Sequence, residues 1–354
     1  MSDRPLPWAP RSLAALASRV YLYELSRRNR AFDAGKGVEH LDRPVISIGN
    51  LSVGGTGKTP MVRWVVQRLQ QAGRKPCIAM RGYRRAGQER SDEEAEYLRG
   101  LPGCPVVAQP DRAAGLRALF ATSAGASVDV VVLDDGFQHR RLSRNLDIVL
   151  LDASRSPLND RPLPAGWLRE PMANLARADA VVITHAELAP RHVLDALAQA
   201  VERVLGRSPV AVTSHAWSVL RTHDDNELPL EWLAQRTVLA VCGIGNPTGF
   251  LHAARAAAGN VESAVFPDHA PYPARRAARI ASTARAMHAE AIVTTDKDWS
   301  KLRAYPQHFW PCPVVRAGLE LRFVSGESAL RELVYAAAGE TTGQGQVPSH
   351  RSLP

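Results

Sequence analysis

Two patterns of apolar positions divide the chain. Residues 8–30 carry Leu13, Leu16, Ala17, Val20 and Tyr21 at the three- and four-residue spacing of a helix, with Pro10 near its start and arginines at 11, 19, 27, 28 and 30. From residue 45, short and continuously apolar runs alternate with longer stretches rich in Ala, Leu and Arg. The runs VISIG (45–49), CIAM (77–80), VDVVVLD (128–134), DIVLLD (147–152) and AVVIT (180–184) read as strands. Strands covered on both faces lose the inside–outside alternation, so this pattern predicts a doubly wound parallel sheet with helices on both sides. A second set, VAVTS (210–214), TVLAVCG (237–243), VESAVF (261–266) and AIVTTD (291–296), is interrupted by the polar stretch RTHDDNELP (221–229). The organisation expected is an N-terminal amphipathic helix within 1–30, a larger α/β domain over 31–215 and a smaller α/β domain over 216–338. The stretch from Gly339 lacks apolar periodicity and reads as a disordered tail over 339–354.

Composition narrows the class. With 354 residues, 45% hydrophobic and 22% charged, the chain can bury one large core or two smaller ones, which excludes a disulfide miniprotein and a mainly disordered chain. The net charge of +9 admits nucleic acid, an anionic membrane surface or a phosphorylated substrate as partner. Only five of the 44 basic residues are lysines, however, so the excess is most simply an arginine-rich coding bias. Cys77, Cys104, Cys242 and Cys312 are widely spaced, form no C-x-x-C pair and read as reduced residues of a cytosolic protein. No secretory leader and no membrane-spanning run is legible, so the chain is expected to stay in the cytoplasm. Two roles stay open for the basic helix. It docks on the domain, or it lies in a lipid headgroup layer with Trp8, Tyr21 and Tyr23 as anchors.

The first strand is followed by Gly49-Asn50-Leu51-Ser52-Val53-Gly54-Gly55-Thr56-Gly57-Lys58-Thr59-Pro60 and then by a helical stretch. Strand, glycine-rich loop, Lys-Thr and helix is the order of a P-loop, with Ser52 at the position of the first glycine. Glycines let backbone N–H groups of Ser52, Val53, Gly54, Gly55, Thr56 and Gly57 converge on phosphate oxygens. Lys58 then reaches the terminal phosphates and Thr59 is placed to ligate Mg²⁺. The run ending at Asp134-Asp135-Gly136 supplies strand-end carboxylates of the kind that hold Mg²⁺ beside a P-loop. Two adjacent carboxylates after a buried strand are costly unless a cation or donors neutralise them. The expectation is therefore a P-loop NTPase-like domain using ATP and Mg²⁺.

With Asp134-Asp135-Gly136-Phe137-Gln138-His139-Arg140 added to the Gly49–Pro60 loop, the sequence resembles the tetraacyldisaccharide 4'-kinases, the lipid A 4'-kinases of Gram-negative bacteria. Further stretches match in order: Arg81-Gly82-Tyr83, Leu163-Pro164-Ala165-Gly166, Leu168-Arg169-Glu170, Gly243-Ile244-Gly245-Asn246-Pro247, Phe266-Pro267-Asp268-His269 and Thr295-Asp296-Lys297-Asp298. The resemblance spans roughly residues 10–335. It implies transfer of the ATP γ-phosphate to the 4'-hydroxyl of tetraacyldisaccharide 1-phosphate, giving lipid IVA, at the cytoplasmic face of the inner membrane. It implies two α/β domains with the site between them, peripheral contact with the membrane surface, no nucleic acid and no obligate protein partner. Carried over by position, it puts Lys58 and Thr59 at the phosphates and metal, Asp134 and Asp135 near the metal, and Arg169 and Glu170 beside the same cluster. Asp92, in Ser91-Asp92-Glu93-Glu94, stands where the family has its catalytic carboxylate, although two residues of that four-residue stretch differ. His269 stands where the family has a histidine that orients this carboxylate. Gln138 and His139 are read either as direct participants or as packing behind the carboxylate pair.

Rival readings are a GTPase, a P-loop ATPase acting on a nucleic-acid or protein partner, and a membrane scaffold. Thr295-Asp296-Lys297-Asp298 lacks the spacing of the guanine-reading Asn-Lys-x-Asp, which leaves it a strand-end cap or a neighbour of the ATP base. No zinc-ligand pattern, aromatic RNA-binding motif or concentrated basic stripe beyond the N-terminal helix supports nucleic acid.

Overall fold

The computed structural model describes residues 5, 10–82, 91–268 and 270–339; the side chains of Asp92 and Glu93 lie outside what it describes, as do His269, Trp8 and the tail from 340 onward. All nine apolar runs form strands, and a hydrogen-bonded path joins them into one sheet. The strands are β1 (Val45–Asn50), β2 (Pro76–Met80), β3 (Val106–Ala108), β4 (Val130–Asp134), β5 (Leu146–Asp152), β6 (Ala180–Thr184), β7 (Ala211–Arg221), β8 (Glu227–Leu228), β9 (Thr237–Cys242), β10 (Asn260–Val265), β11 (Ala291–Thr295) and β12 (Val314–Ser325). Their order is β10-β9-β11-β12-β7-β6-β5-β1-β4-β2-β3, with β8 on β7. Pairing is parallel except at β7–β12 and β7–β8. The helices are α1 (Arg11–Asp33), α2 (Lys58–Gln71), α3 (Asp92–Gly100), α4 (Arg112–Phe120), α5 (Ser123–Ala126), α6 (Arg191–Leu205), α7 (Pro247–Ala257), α8 (Ala274–Ala286), α9 (Asp296–Leu302) and α10 (Glu327–Ala337).

Alternate residues of each central strand feed opposite cores, as period-two geometry requires. Ile46, Ile48, Val130, Val132 and Ile148 pack under Met61, Val65 and Leu69 of α2. On the other face, Val149, Leu151 and Val181 meet Leu197 and Val201 of α6, while Val131 and Leu133 meet Leu116 of α4. In the second group, β9 and β11 are covered on both faces in the same way, by α8 and α9 on one side and α7 on the other, while β10 at the sheet edge stays largely exposed. This is the doubly wound α/β architecture that the apolar runs imply.

The halves share more structure than a linker. Residue 216 falls inside β7, whose start pairs parallel with β6 at Ala211 and Val212 and whose length pairs antiparallel with β12. Helix α10 ends the stretch expected to form the smaller domain, yet Leu330 and Val334 lie in the core around α2 and β1. Apolar continuity in sequence does not reveal such a return. The alternation of β12 is broken by register shifts at Gly318/Leu319 and Phe323/Ser325, and its outer positions carry Glu320 and Arg322. That is why its strand character is faint in the sequence.

Candidate active site

The C-terminal ends of β1, β4 and β5 carry the loops where an open α/β sheet places ligands. After β1 the chain turns through Gly54 at φ 121° and Gly57 at φ 82°, conformations that favour glycine. Gly57 caps α2, so Lys58 and Thr59 open a helix whose free N–H groups face the loop. Asn50 donates to the Thr56 hydroxyl (2.8 Å), and the Thr184 hydroxyl donates to the Thr56 carbonyl (3.0 Å). A strap over residues 162–170 braces the other flank. Val53 N–H donates to the Trp167 carbonyl (2.8 Å), and Arg169 N–H donates to the Leu51 carbonyl (2.7 Å).

The carboxylate pair at the end of β4 faces this loop, and its members have different partners. Asp135 lies 3.5 Å from Lys58 Nζ and accepts from Arg169 Nη1 at 2.7 and 2.9 Å. Burial alone would raise the Asp135 pKa, but Lys58 and Arg169 outweigh it and hold the group down to about 2. Asp134 is buried more completely and accepts from the Tyr97 hydroxyl through Oδ2 (2.8 Å). Burial, with the like charge of Asp135, pushes its pKa up against the pull of Lys58. Its Oδ1 is buried with no hydrogen-bond partner among the described residues. Burial pushes the Tyr97 pKa well up, and nearby Thr59 opposes that rise. One orphaned acidic oxygen beside a threonine hydroxyl and a P-loop fits the donor set of a hydrated Mg²⁺.

Gln138 braces this pair from behind, and His139 follows it in the loop. Gln138 donates to the Asn50 carbonyl (2.9 Å) and accepts weakly from Arg169 (3.4 Å). Burial among Arg112, Arg144 and Arg141 lowers the His139 pKa to about 4, so its ring is neutral at pH 7. Glu170 is placed apart from the metal-side oxygens. It is wholly buried and paired with Arg177 at 3.0 and 3.2 Å, and it also accepts from Asn174 and Asn29. These bonds anchor the strap through Glu170. Their origin is local: Arg177 lies seven positions on, at the end of a short 3₁₀ turn (Met172–Arg177), and folds back on it.

Helix α1 docks on the same strap. The Tyr21 hydroxyl donates to the Arg169 carbonyl (2.7 Å), and the Ser18 hydroxyl donates to the Pro162 carbonyl (3.0 Å). Tyr21 is thus turned inward instead of serving as an outer anchor. The outward face is apolar, with Leu13, Leu16, Val20 and Tyr23 each 58–63% exposed.

Opposite the phosphate loop stand the segments after β9 and β10. The Asn246 amide donates to Ser154 (3.1 Å), and a side chain at Gly245 would come within 3.6 Å of Gly55 N. A cleft of about 170 Å³ opens here between Gly54, Gly55, Asp152, Arg155, Asn246 and Thr248. Asp298, wholly buried on α9, accepts from Gly243 N–H (2.9 Å), the Tyr272 hydroxyl (2.9 Å) and the Thr295 hydroxyl (2.7 Å). Thr295 caps α9. Thr295-Asp296-Lys297-Asp298 therefore includes a strand-end cap whose last carboxylate is committed to internal hydrogen bonds. Asp268, next to His269, pairs with Lys297 (3.1 Å). Asp92 is the first residue of α3, where Ser91 and Glu94 form a reciprocal capping box.

Sequence reasoning passed over Tyr97, Arg112 and the group Asp152, His185 and His215. Arg112, almost fully buried, donates to the Asp135 carbonyl (3.3 Å). His185 pairs with Asp152 (3.0 Å) and stacks at 4.4 Å on His215, whose ring lies against Gly57. No motif marks these side chains; Tyr97 and Arg112 reach the carboxylate pair because α3 and α4 converge on the end of β4, and Asp152, His185 and His215 meet where β5, β6 and β7 run side by side.

A strand, glycine loop and helix with a lysine at its first turn, set against a neutralised strand-end carboxylate pair, define a P-loop nucleotide-binding protein built on a doubly wound sheet. The chain belongs to the tetraacyldisaccharide-1-P 4'-kinase family, whose model matches residues 11–338. The tetraacyldisaccharide 4'-kinase of Geobacter sulfurreducens is 37% identical over 332 residues, covering 87% of this chain and 89% of that protein. That of Anaeromyxobacter dehalogenans strain 2CP-C is 39% identical over 305 residues, covering 81% and 78%. A crystal structure of LpxK from Aquifex aeolicus in complex with ATP superposes with a TM-score of 0.69 at 32% identity, covering 92% of this chain and 99% of that one.

Proposed function

We infer that this chain is an ATP-dependent kinase of lipid A biosynthesis. It transfers the γ-phosphate to the 4'-hydroxyl of tetraacyldisaccharide 1-phosphate. The observation that carries the reading is Asp135 held between Lys58 and Arg169 at the mouth of the phosphate loop, in a chain matched to the kinase family across residues 11–338. The Aquifex relative binds ATP, which supports ATP as the donor here. An ATPase or GTPase acting on nucleic acid or protein is not favoured, since the one guanine-like motif is spent on internal bonds.

In the transfer, the oxygen of the 4'-hydroxyl bonds to the γ-phosphorus as the bond to the β–γ bridging oxygen breaks, releasing ADP. Lys58 and the loop N–H groups hold the phosphates, and Arg169 contributes positive charge beside them. Thr59 and Asp134 are the residues proposed to hold Mg²⁺, with Asp135 beside them; the ion supplies neutralisation of charge on the phosphate oxygens. Asp92 accepts the proton of the 4'-hydroxyl, and His269 orients Asp92 from the facing segment, as family position implies. The two halves of the sheet, divided near residue 216, act as domains that close over the acceptor.

Peripheral contact with the cytoplasmic face of the inner membrane belongs to the same proposal. Its support is the outward row Leu13, Leu16, Val20 and Tyr23 flanked by arginines. Among the described residues, no helix is long and apolar enough to cross a membrane. Incubating the protein with Mg²⁺, γ-labelled ATP and tetraacyldisaccharide 1-phosphate should label the lipid; ATP hydrolysis with no labelled lipid would refute the reading. A Leu16→Glu, Val20→Glu double variant should lose co-sedimentation with anionic vesicles, and retention equal to the parent would leave α1 a docking element only.

A further inference from the structure

Tyr97 is fully buried on α3, and its ring packs in the core beside Leu101 and Cys104. A buried phenol needs a hydrogen-bond partner, and here the partner is on the metal side of the site. Its hydroxyl donates to Asp134 Oδ2 (2.8 Å). This contact occupies one oxygen of Asp134 and leaves the other, Oδ1, buried without a partner among the described residues. The helix that carries Tyr97 begins at Asp92. Five residues of α-helix span about 7.5 Å along the axis, so the phenol and the start of the helix form one short rigid unit. The remaining sides of α3 are also held. Glu96 pairs with Arg63 of α2 (3.7 Å), and the charges of Asp296 and Lys297 on α9 reach Glu96. Helix α9 in turn carries Asp298, the anchor of the Gly243 and Tyr272 segments.

We propose that Tyr97 is a positioning residue of the kinase: its hydroxyl turns the Asp134 carboxylate so that Oδ1 faces the metal, and ties the helix bearing Asp92 to that carboxylate. The inference rests on the kinase reading. It adds a physical link between the phosphate side of the site and the side that receives the acceptor proton.

Tyr97→Phe removes the hydroxyl and keeps the ring in the core. Outer-shell partners of metal ligands are commonly worth about 10- to 100-fold in metal affinity or activity. Binding of Mn²⁺ in the presence of ADP, followed by its electron paramagnetic resonance, should weaken about tenfold. Lipid phosphorylation should show kcat lowered roughly 10- to 100-fold, with KM for ATP changed much less. Leu101→Ala, at the C-cap of the same helix, is the packing control; it should lower the melting temperature while leaving Mn²⁺ binding and kcat near those of the parent. Parent-like Mn²⁺ binding and kcat in Tyr97→Phe would overturn the proposal, as would an equal loss of Mn²⁺ binding in Leu101→Ala. If the parent binds Mn²⁺ and ADP but never labels the lipid, the kinase reading fails, and the Mn²⁺ comparison alone then decides whether Tyr97 orients Asp134.

Discussion

The phosphate side of the cleft and the segments facing it, residues 243–246, 266–268 and 270–272, are held in place by different means. On the phosphate side, the loop is fixed by many contacts of its own neighbourhood: two left-handed glycines, the Asn50–Thr56 bond, the strap from Trp167 to Glu170 and the charges around Asp135. On the facing side, Gly243 and Tyr272 converge on a single buried carboxylate, Asp298, contributed by a helix further along the chain. The first arrangement draws mostly on the loop and the strap beside it. The second draws its fixed points from elements further along the chain: besides Asp298, Lys301 donates to the Ala270 carbonyl (3.3 Å) and the Tyr305 hydroxyl to the Tyr272 carbonyl (2.7 Å).

That contrast can be broken from either side. The largest effect is expected for Lys58→Ala, which removes charge from the phosphates but no core packing. Transfer should fall by roughly 10³ or more with the melting temperature little changed, since such preorganised charge is worth several kcal/mol at the transition state. Parent-like turnover in the folded variant would refute the loop assignment. Next comes the pair expected to act across the cleft. Asp92→Asn and His269→Ala should each lower kcat by roughly 10², and the double variant should lose clearly less than the product, because residues acting as one unit are not additive. Fully multiplicative losses would separate them.

Asp298→Ala tests the facing side and should act on stability first. It strands the Gly243 N–H and the Tyr272 hydroxyl, and a buried donor left unpaired costs roughly 1–3 kcal/mol. Thermal melting should report that loss, with KM for ATP rising more than kcat falls; an unchanged melting curve would mean that the segments hold themselves. The smallest effect is on the pH dependence. His139 titrates near 4 in the folded chain because of burial and the nearby arginines, against about 6.5 unfolded. Between those values the unfolded state binds the extra proton, so stability should fall as pH drops from about 6.5 toward 4 and recover above it. His139→Gln should flatten that slope in urea titrations run across the window, and an unchanged slope would remove His139 as its source.

Much of the architecture was legible because burial on two faces leaves a local mark. Nine runs rich in apolar residues became nine strands, and Gly54, Gly57, Lys58 and Thr59 came together because a P-loop is built from consecutive residues. Asp134 and Asp135 were found for the same reason, sitting at the end of an apolar run. Glu170 shows the limit: the resemblance implies a place beside the carboxylate cluster, while its partners Arg177, Asn174 and Asn29 are legible only in the fold.

By itself, then, the sequence determined what depends on neighbours along the chain: the parallel sheet, the glycine turns, the helix that opens at Lys58 and the collinear motifs of the kinase family. Tertiary structure alone decided which distant side chains share a carboxylate. Tyr97 on Asp134, Arg112 behind Asp135, His215 beneath Gly57 and α10 returning to the first core carry no signature in sequence. The reason is that a hydrogen bond or an apolar contact depends on separation in space, and separation in space between residues far apart in sequence is set only once the sheet order and the helix packing have formed.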